Sequence, residues 1–423
     1  MISDTREQGP QEPPPAYSPE AYSSQGYHAL PNPNVGWPPQ QTAPQEYARQ
    51  NNAAYHMNQG FPGYPTPQQG YEALDPNPHG ASTLDTYGAP QQPWGIPPSI
   101  SAPPSPGYGP NITPSTEPTA AVEALHNAVK GTNEILLISN LAHYLAIDMV
   151  NLKLAYRRRY SRDLEADIEH KTKHHFKESL VAILRGPLQE DVYLLRKALE
   201  GLGTNERLLN DVVLSRSNAD LNAIKAAYFA TYQRSAEVDV ANDHKGPLEE
   251  TMRRFYSMVL AATRAEESAP VIPQAIEGDV TTIHTATVGN DQITVCSILT
   301  SRSDAQIRAI AFTYEQRYRI TLEEVINKGS KLFSGHLKTA LTLIVRGALD
   351  RAMRDAVLLE ECMAGLGTKD DLLVSRLVQL HWNQDHMGQV RGAYKVRYKK
   401  DLVTRIHGET SGNYRNLLKA MVE

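Results

Sequence analysis

The sequence predicts an all-α repeat protein that follows a disordered tail. Three observations carry this. The composition breaks near residue 119. Beyond it, apolar residues recur at helical spacing with no alternating strand pattern. Within that body, helix-loop-helix signatures return with a period of roughly 75 residues, the mark of a repeat array. The boundaries read as 1–119 for the tail and 120–186, 187–264, 265–346 and 347–423 for four units. Each unit holds several short helices that bury their apolar faces on their neighbours.

The tail comes first. It carries 25 of the 29 prolines, and Gln, Gly, Ser and Asn supply much of the remainder. Nine tyrosines, from Tyr17 to Tyr108, are strung along it. Such a chain cannot bury enough apolar surface to offset its entropy, so disorder is expected over 1–119. Spaced aromatics favour weak multivalent contacts, and Pro13-Pro14-Pro15-Ala16-Tyr17 suits a polyproline II ligand. Protein partners of the tail are therefore an expectation, beside a plain solubilising spacer.

Charge and cysteine usage exclude several classes. Net charge is −5. The tail has nine acidic side chains against two arginines, which leaves the body at 40 basic and 38 acidic groups. That balance does not suggest a nucleic-acid binder. The clusters Arg157-Arg158-Arg159 and Lys395 to Lys400 each end a helix, where cations complement the dipole. His170, His174 and His175 read as a surface face and not as a zinc site. Cys296 and Cys362 sit in helical patterns and fit a reducing compartment. The polar start and the lack of an 18-residue apolar run predict a cytoplasmic protein.

In the body, Ala120 to Leu125 open the first helix. Ser215-Arg216-Ser217-Asn218-Ala219-Asp220 returns as Ser301-Arg302-Ser303-Asp304-Ala305-Gln306. Each reads as a capping box before an apolar helix that ends in tyrosine, Tyr232 and Tyr318. Leu152 to Tyr160 and Val390 to Tyr398 repeat that signature. An amphipathic helix closes each unit: Phe176 to Leu184, Leu248 to Leu260, Leu337 to Val345, and Tyr414 to Val422. Connections are short, except a long link from Ala265 to Gly278.

Two loops carry the chemistry: Leu199-Glu200-Gly201-Leu202-Gly203-Thr204 and Met363-Ala364-Gly365-Leu366-Gly367-Thr368. The glycines allow the positive φ of a helix exit, and the threonines are expected to cap the next helix. Loops of this shape turn carbonyls outward together, which suits a hard cation if a carboxylate from elsewhere in the fold completes the shell.

The run from Leu195 to Glu206, followed by Ser215-Arg216-Ser217 and Tyr228, resembles an annexin repeat. So does Gly365-Leu366-Gly367-Thr368 followed by Gly408-Glu409-Thr410-Ser411-Gly412. The resemblance covers 120–423, and the Pro/Gly/Tyr/Gln-rich tail and the drift of units one and three are similar to fungal members. It implies five helices per repeat, a curved disc, and calcium-dependent binding to acidic phospholipid. In the family pattern three loop carbonyls and one later acid hold each ion. Carried onto this chain, the ligands are Leu199, Gly201, Gly203 and Asp243 in repeat two, and Met363, Gly365, Gly367 and Glu409 in repeat four. The acid follows the last glycine by 40 and 42 residues respectively, and the extra two fall within Leu380 to Asp385. Repeat one has a shorter loop, Val129-Lys130-Gly131-Thr132, with Lys171 where the acid belongs. Repeat three has Thr287-Val288-Gly289-Asn290, and Asn327-Lys328-Gly329-Ser330-Lys331 contains no acid. Both are expected to have lost the site.

No phosphate loop after a strand, nucleophile elbow or His-Glu-x-x-His is present. The expectation is a non-enzymatic, calcium-dependent membrane-binding protein. The alternative is a calcium-independent helical scaffold whose tail recruits partners.

Overall fold

The computed structural model describes residues 101–109, 118–246, 249–328, 333 and 335–423. Their regular structure is helical, with no strand among them. Nineteen helices fall into four units of five, with one helix shared.

Unit one comprises α1 (Thr119–Gly131), α2 (Glu134–Leu141), α3 (Met149–Tyr160), α4 (Leu164–Lys171) and the first limb of α5 (His174–Ala198). Helix α5 bends at Gly186, whose φ of 72° interrupts it before Pro187. Its second limb opens unit two, with α6 (Glu206–Val213), α7 (Asn218–Tyr232), α8 (Ala236–Asp243) and α9 (Glu250–Leu260). Unit three is α10 (Pro273–Val288), α11 (Gln292–Ser301), α12 (Asp304–Tyr318), α13 (Leu322–Lys328) and α14 (Gly335–Leu349). Unit four is α15 (Arg351–Met363), α16 (Asp370–His381), α17 (Gln384–Tyr398), α18 (Leu402–Glu409) and α19 (Gly412–Val422). The link before unit three ends sooner than its composition suggests, because Pro273 supplies the first helical position of α10.

Capping follows local chemistry with two corrections. Ser303 and Gln306 form the full capping box of α12. Ser217 accepts the Asp220 N–H at the start of α7, but the Asp220 side chain does not return to Ser217. It binds Ser105 instead, through the backbone N–H and the hydroxyl, both at 2.7 Å. Threonine is not the cap after the glycine loops either. Asn205 caps α6 by accepting from Leu208 N, and Lys369 occupies the cap position of α16.

The four units pair into two cores. Units two and three share one, centred on Leu209, Val212, Tyr228, Phe255, Ile283 and Tyr314. Units one and four share the other, with Leu125, Leu152, Tyr156, Leu359, Leu377 and Tyr394. Between them runs a polar seam. Arg376 Nε reaches Asp211 at 2.7 Å, both buried. Asp355 lies between Arg354, at 2.6 Å, and His386 Nε2, at 2.7 Å. Breaking such a pair strands a buried charge, at a cost of about 3–5 kcal/mol.

The tail reading over 1–100 and 110–117 lies outside the described residues. Residues 101–109 are described, and they correct it for that stretch. They form a strap against units one and two. Tyr108 is buried in the core of units two and three and donates its hydroxyl to Asp191 at 2.5 Å. Gly107, at φ +87°, lies so close to Pro187 that a Cβ would stand 2.5 Å from its Cγ. A tyrosine with a short Gly-Pro context can dock where the longer composition argues for solvation.

Candidate metal sites in repeats two and four

The same backbone bond closes all four first loops. Asn205 N donates to Ala198 O at 2.8 Å, and Lys369 N to Cys362 O at 2.8 Å. Asn133 N to Ala128 O and Asp291 N to Ala286 O do the same at 2.8 Å. The first two bonds enclose residues 199–204 and 363–368. The other two enclose only 129–132 and 287–290. In the longer loops Gly201 and Gly203 take φ of +103° and +79°, and Gly365 and Gly367 take +99° and +82°. These angles favour glycine. In the shorter loops one left-handed residue, Thr132 or Asn290, makes the whole turn, and Gly289 has an ordinary φ of −80°.

The acids arrive from the fourth helix. Helices α8 and α18 are each eight residues long and end on Asp243 and Glu409. Thr204 Oγ1 donates to the Asp243 carboxylate. Thr368 Oγ1 donates to Glu409 Oε2 at 3.2 Å. The threonines that fail to cap a helix thus hold the carboxylates beside the loops. The two-residue difference in spacing is absorbed where α16, at twelve residues, outruns α6, at eight. In unit one α4 has the same length and ends on Lys171. In unit three residues 329–331 lie outside the described residues.

One feature escaped the sequence. The fourth residue is Asp239 in α8 and Arg405 in α18. Asp239 turns to the Arg234 guanidinium and the Tyr228 hydroxyl. Arg405 instead reaches across the loop. It donates to Met363 O at 2.6 Å, to the Glu409 carboxylate, and to Glu360 at 3.2 and 3.3 Å. Two of the predicted calcium ligands in repeat four are therefore satisfied by an internal cation. In repeat two the position of Glu360 is held by Arg196, 3.8 Å from Asp239, so the two repeats carry the pair with opposite polarity.

At both loop tips an apolar side chain faces solvent. Leu202 and Leu366 are 107% and 108% exposed, as free as in an isolated peptide. The histidine cluster does not act as one face. His170 lies in the last turn of α4, whereas His175 on α5 meets Glu178 at 2.8 Å and approaches Asp370 and Asp371 at 3.6 and 3.7 Å.

The class that this fold defines is a helical-repeat protein of four five-helix units, with a glycine loop set beside a carboxylate in units two and four. The family profile described as Annexin matches residues 120–183, 190–254, 279–344 and 354–421, and the chain belongs to the annexin family. Annexin C1 of Cryptococcus neoformans var. grubii serotype A is 36% identical over 309 residues, 71% of this chain and 64% of that protein. Annexin A13 of Mus musculus is 32% identical over 304 residues, 70% of this chain and 92% of that protein. Chicken annexin V superposes with a TM-score of 0.64 at 25% identity, over 74% of this chain and 97% of that one. Calcium-bound annexin (Sm)1 gives 0.63 at 24% identity, over 74% and 93%, a likeness of fold. The family binds phospholipid in a calcium-dependent way.

Proposed function

We propose that this chain binds acidic phospholipid membranes through calcium held in repeats two and four. The observation that carries this is the pairing of a six-residue glycine loop with a threonine-held carboxylate in those two units. Leu199, Gly201 and Gly203 with Asp243 supply carbonyls and a bidentate acid in repeat two. Met363, Gly365, Gly367 and Glu409 supply the same set in repeat four once Arg405 withdraws. Calcium takes six to eight oxygens, so positions remain for lipid phosphate or carboxylate. One acid per site keeps intrinsic affinity weak, on the order of 10⁻⁴–10⁻³ M. Lipid completes the shell, and by linkage each ligand strengthens the other. Leu202 and Leu366 at the tips would enter the headgroup region, which favours a lipid surface over a soluble anion.

Binding without catalysis, from the cytoplasm and at the membrane periphery, would suit a role in membrane organisation or trafficking. Among the described residues no single helix is long and apolar enough to cross a bilayer, which fits peripheral attachment. Co-sedimentation with phosphatidylserine vesicles is the test. Pelleting in millimolar calcium and release by chelator are expected. Equal pelleting in both, or none in either, would leave the scaffold alternative.

A further inference from the structure

We propose that Ser105 is a phosphorylation site, and that a phosphate there lifts the strap 101–109 off the helical body. The hydroxyl is followed by Pro106, the context read by kinases that require proline after the acceptor. Ser105 itself is exposed at the rim, so a kinase reaches it once the short strap swings out. Its bond partner is not exposed. Asp220 is 3% accessible and spends both carboxylate oxygens on Ser105, from the N–H and from the hydroxyl, at 2.7 Å each.

The transfer is an ordinary phosphoryl exchange. Ser105 Oγ bonds to the γ-phosphorus of ATP, the bond from that phosphorus to the bridging oxygen breaks, ADP leaves, and the hydroxyl proton passes to the kinase's base. The product has lost the donor that Asp220 needs. It gains a charge of about −1.5 to −2 in its place.

The groups facing the strap oppose that charge. Asp220 lies against Ser105. Asp191 holds Tyr108, and Glu266 accepts the Ala102 N–H at 3.5 Å. The cations nearby are committed. Arg216 is bidentate on Asp191 at 2.6 and 2.8 Å, and Arg264 is engaged by Asp304 and Glu267. The docked state is therefore selectively destabilised, whereas a detached strap hydrates its phosphate freely. Phosphorylation traps the state that the kinase captured.

The experiment uses the full chain, a proline-directed kinase and MgATP. Mass spectrometry locates the phosphate, and hydrogen exchange reads the Tyr108 amide, which is bonded to Ser105 O at 2.9 Å. Exchange over 106–109 should quicken at least about tenfold, the scale of losing one charge-assisted hydrogen bond. Ser18, Thr66 and Thr113 also precede proline. The Ser105→Ala chain, modified only at those positions, should exchange as its untreated counterpart does. Asp220→Asn, which can donate to a phosphate, should blunt the effect. Exchange unchanged or slowed by phosphate on Ser105 would overturn the proposal. So would a Ser105 left unmodified while the other three are labelled.

Discussion

On the proposed calcium reading, the polarity of one ion pair should set how readily repeat four takes the ion. Arg405 donates to Met363 O and to the Glu409 carboxylate, and both bonds must break before an ion enters. The Arg405 and Glu409 side chains are 19% and 22% exposed. Sheltered charge-assisted bonds are worth about 1.5–3 kcal/mol and exposed ion pairs about 0.2–1. At this partial exposure each bond contributes about 1 kcal/mol. Displacing Arg405 therefore costs about 2 kcal/mol, or about 30-fold in calcium affinity. The double substitution Glu360→Arg and Arg405→Asp reproduces the polarity of Arg196 and Asp239 in repeat two and preserves net charge. In an Asp243→Ala background only repeat four remains to report. The calcium concentration that half-pellets phosphatidylserine vesicles should then fall about 30-fold relative to Asp243→Ala alone. A half-point that does not move would show that Arg405 leaves the loop freely and that the pair does not gate the site.

The other predictions concern the remaining acids. Asp243→Ala removes the carboxylate of the repeat without an internal cation, so it should raise the calcium requirement in the same pelleting assay more than Glu409→Ala does. The two together should abolish calcium-dependent pelleting while leaving the melting temperature within a few degrees. Lys171→Glu should not create a site in repeat one, because residues 129–132 are too few to bring three carbonyls together; calorimetry that finds a third equivalent of calcium would contradict this. Burial pushes Glu190 up to about 7, against the pull of Arg185. The native state then holds a proton that the unfolded chain gives up near 4.5, so stability falls as pH rises between about 4.5 and 7, by roughly 3 kcal/mol. Glu190→Gln should flatten that part of a urea-denaturation profile against pH.

Much of this was legible because local chemistry dictates it. Ser217 and Ser303 start helices as their side chains demand, and loop length separates units two and four from one and three without any structure. What stayed hidden depends on contacts far apart in sequence. Arg405 reads as a surface cation on an amphipathic helix; only the fold brings it to a carbonyl in another loop. Tyr108 is indistinguishable by composition from the other eight tail tyrosines until Asp191 and Pro187 are seen beneath it. Threonine after the glycines reads as a cap because spacing allows it, yet Asn205 is one residue nearer the helix and takes that role.

The pairing of units also bears on how the chain is made. Apart from Tyr108, which is made earlier, the core of units two and three is built from one continuous stretch and can close as soon as residues near 349 leave the ribosome. Unit one is synthesised first but shares its core with unit four, so its apolar face waits for the C-terminus. At about 5–20 residues per second that wait is about 10–50 s. Chains arrested after residues near 349 have left the ribosome, but before the last helices of unit four have, should therefore protect units two and three from protease while unit one is still cut. Expression at low temperature, which slows elongation, lengthens the interval in which that face is open to chaperones.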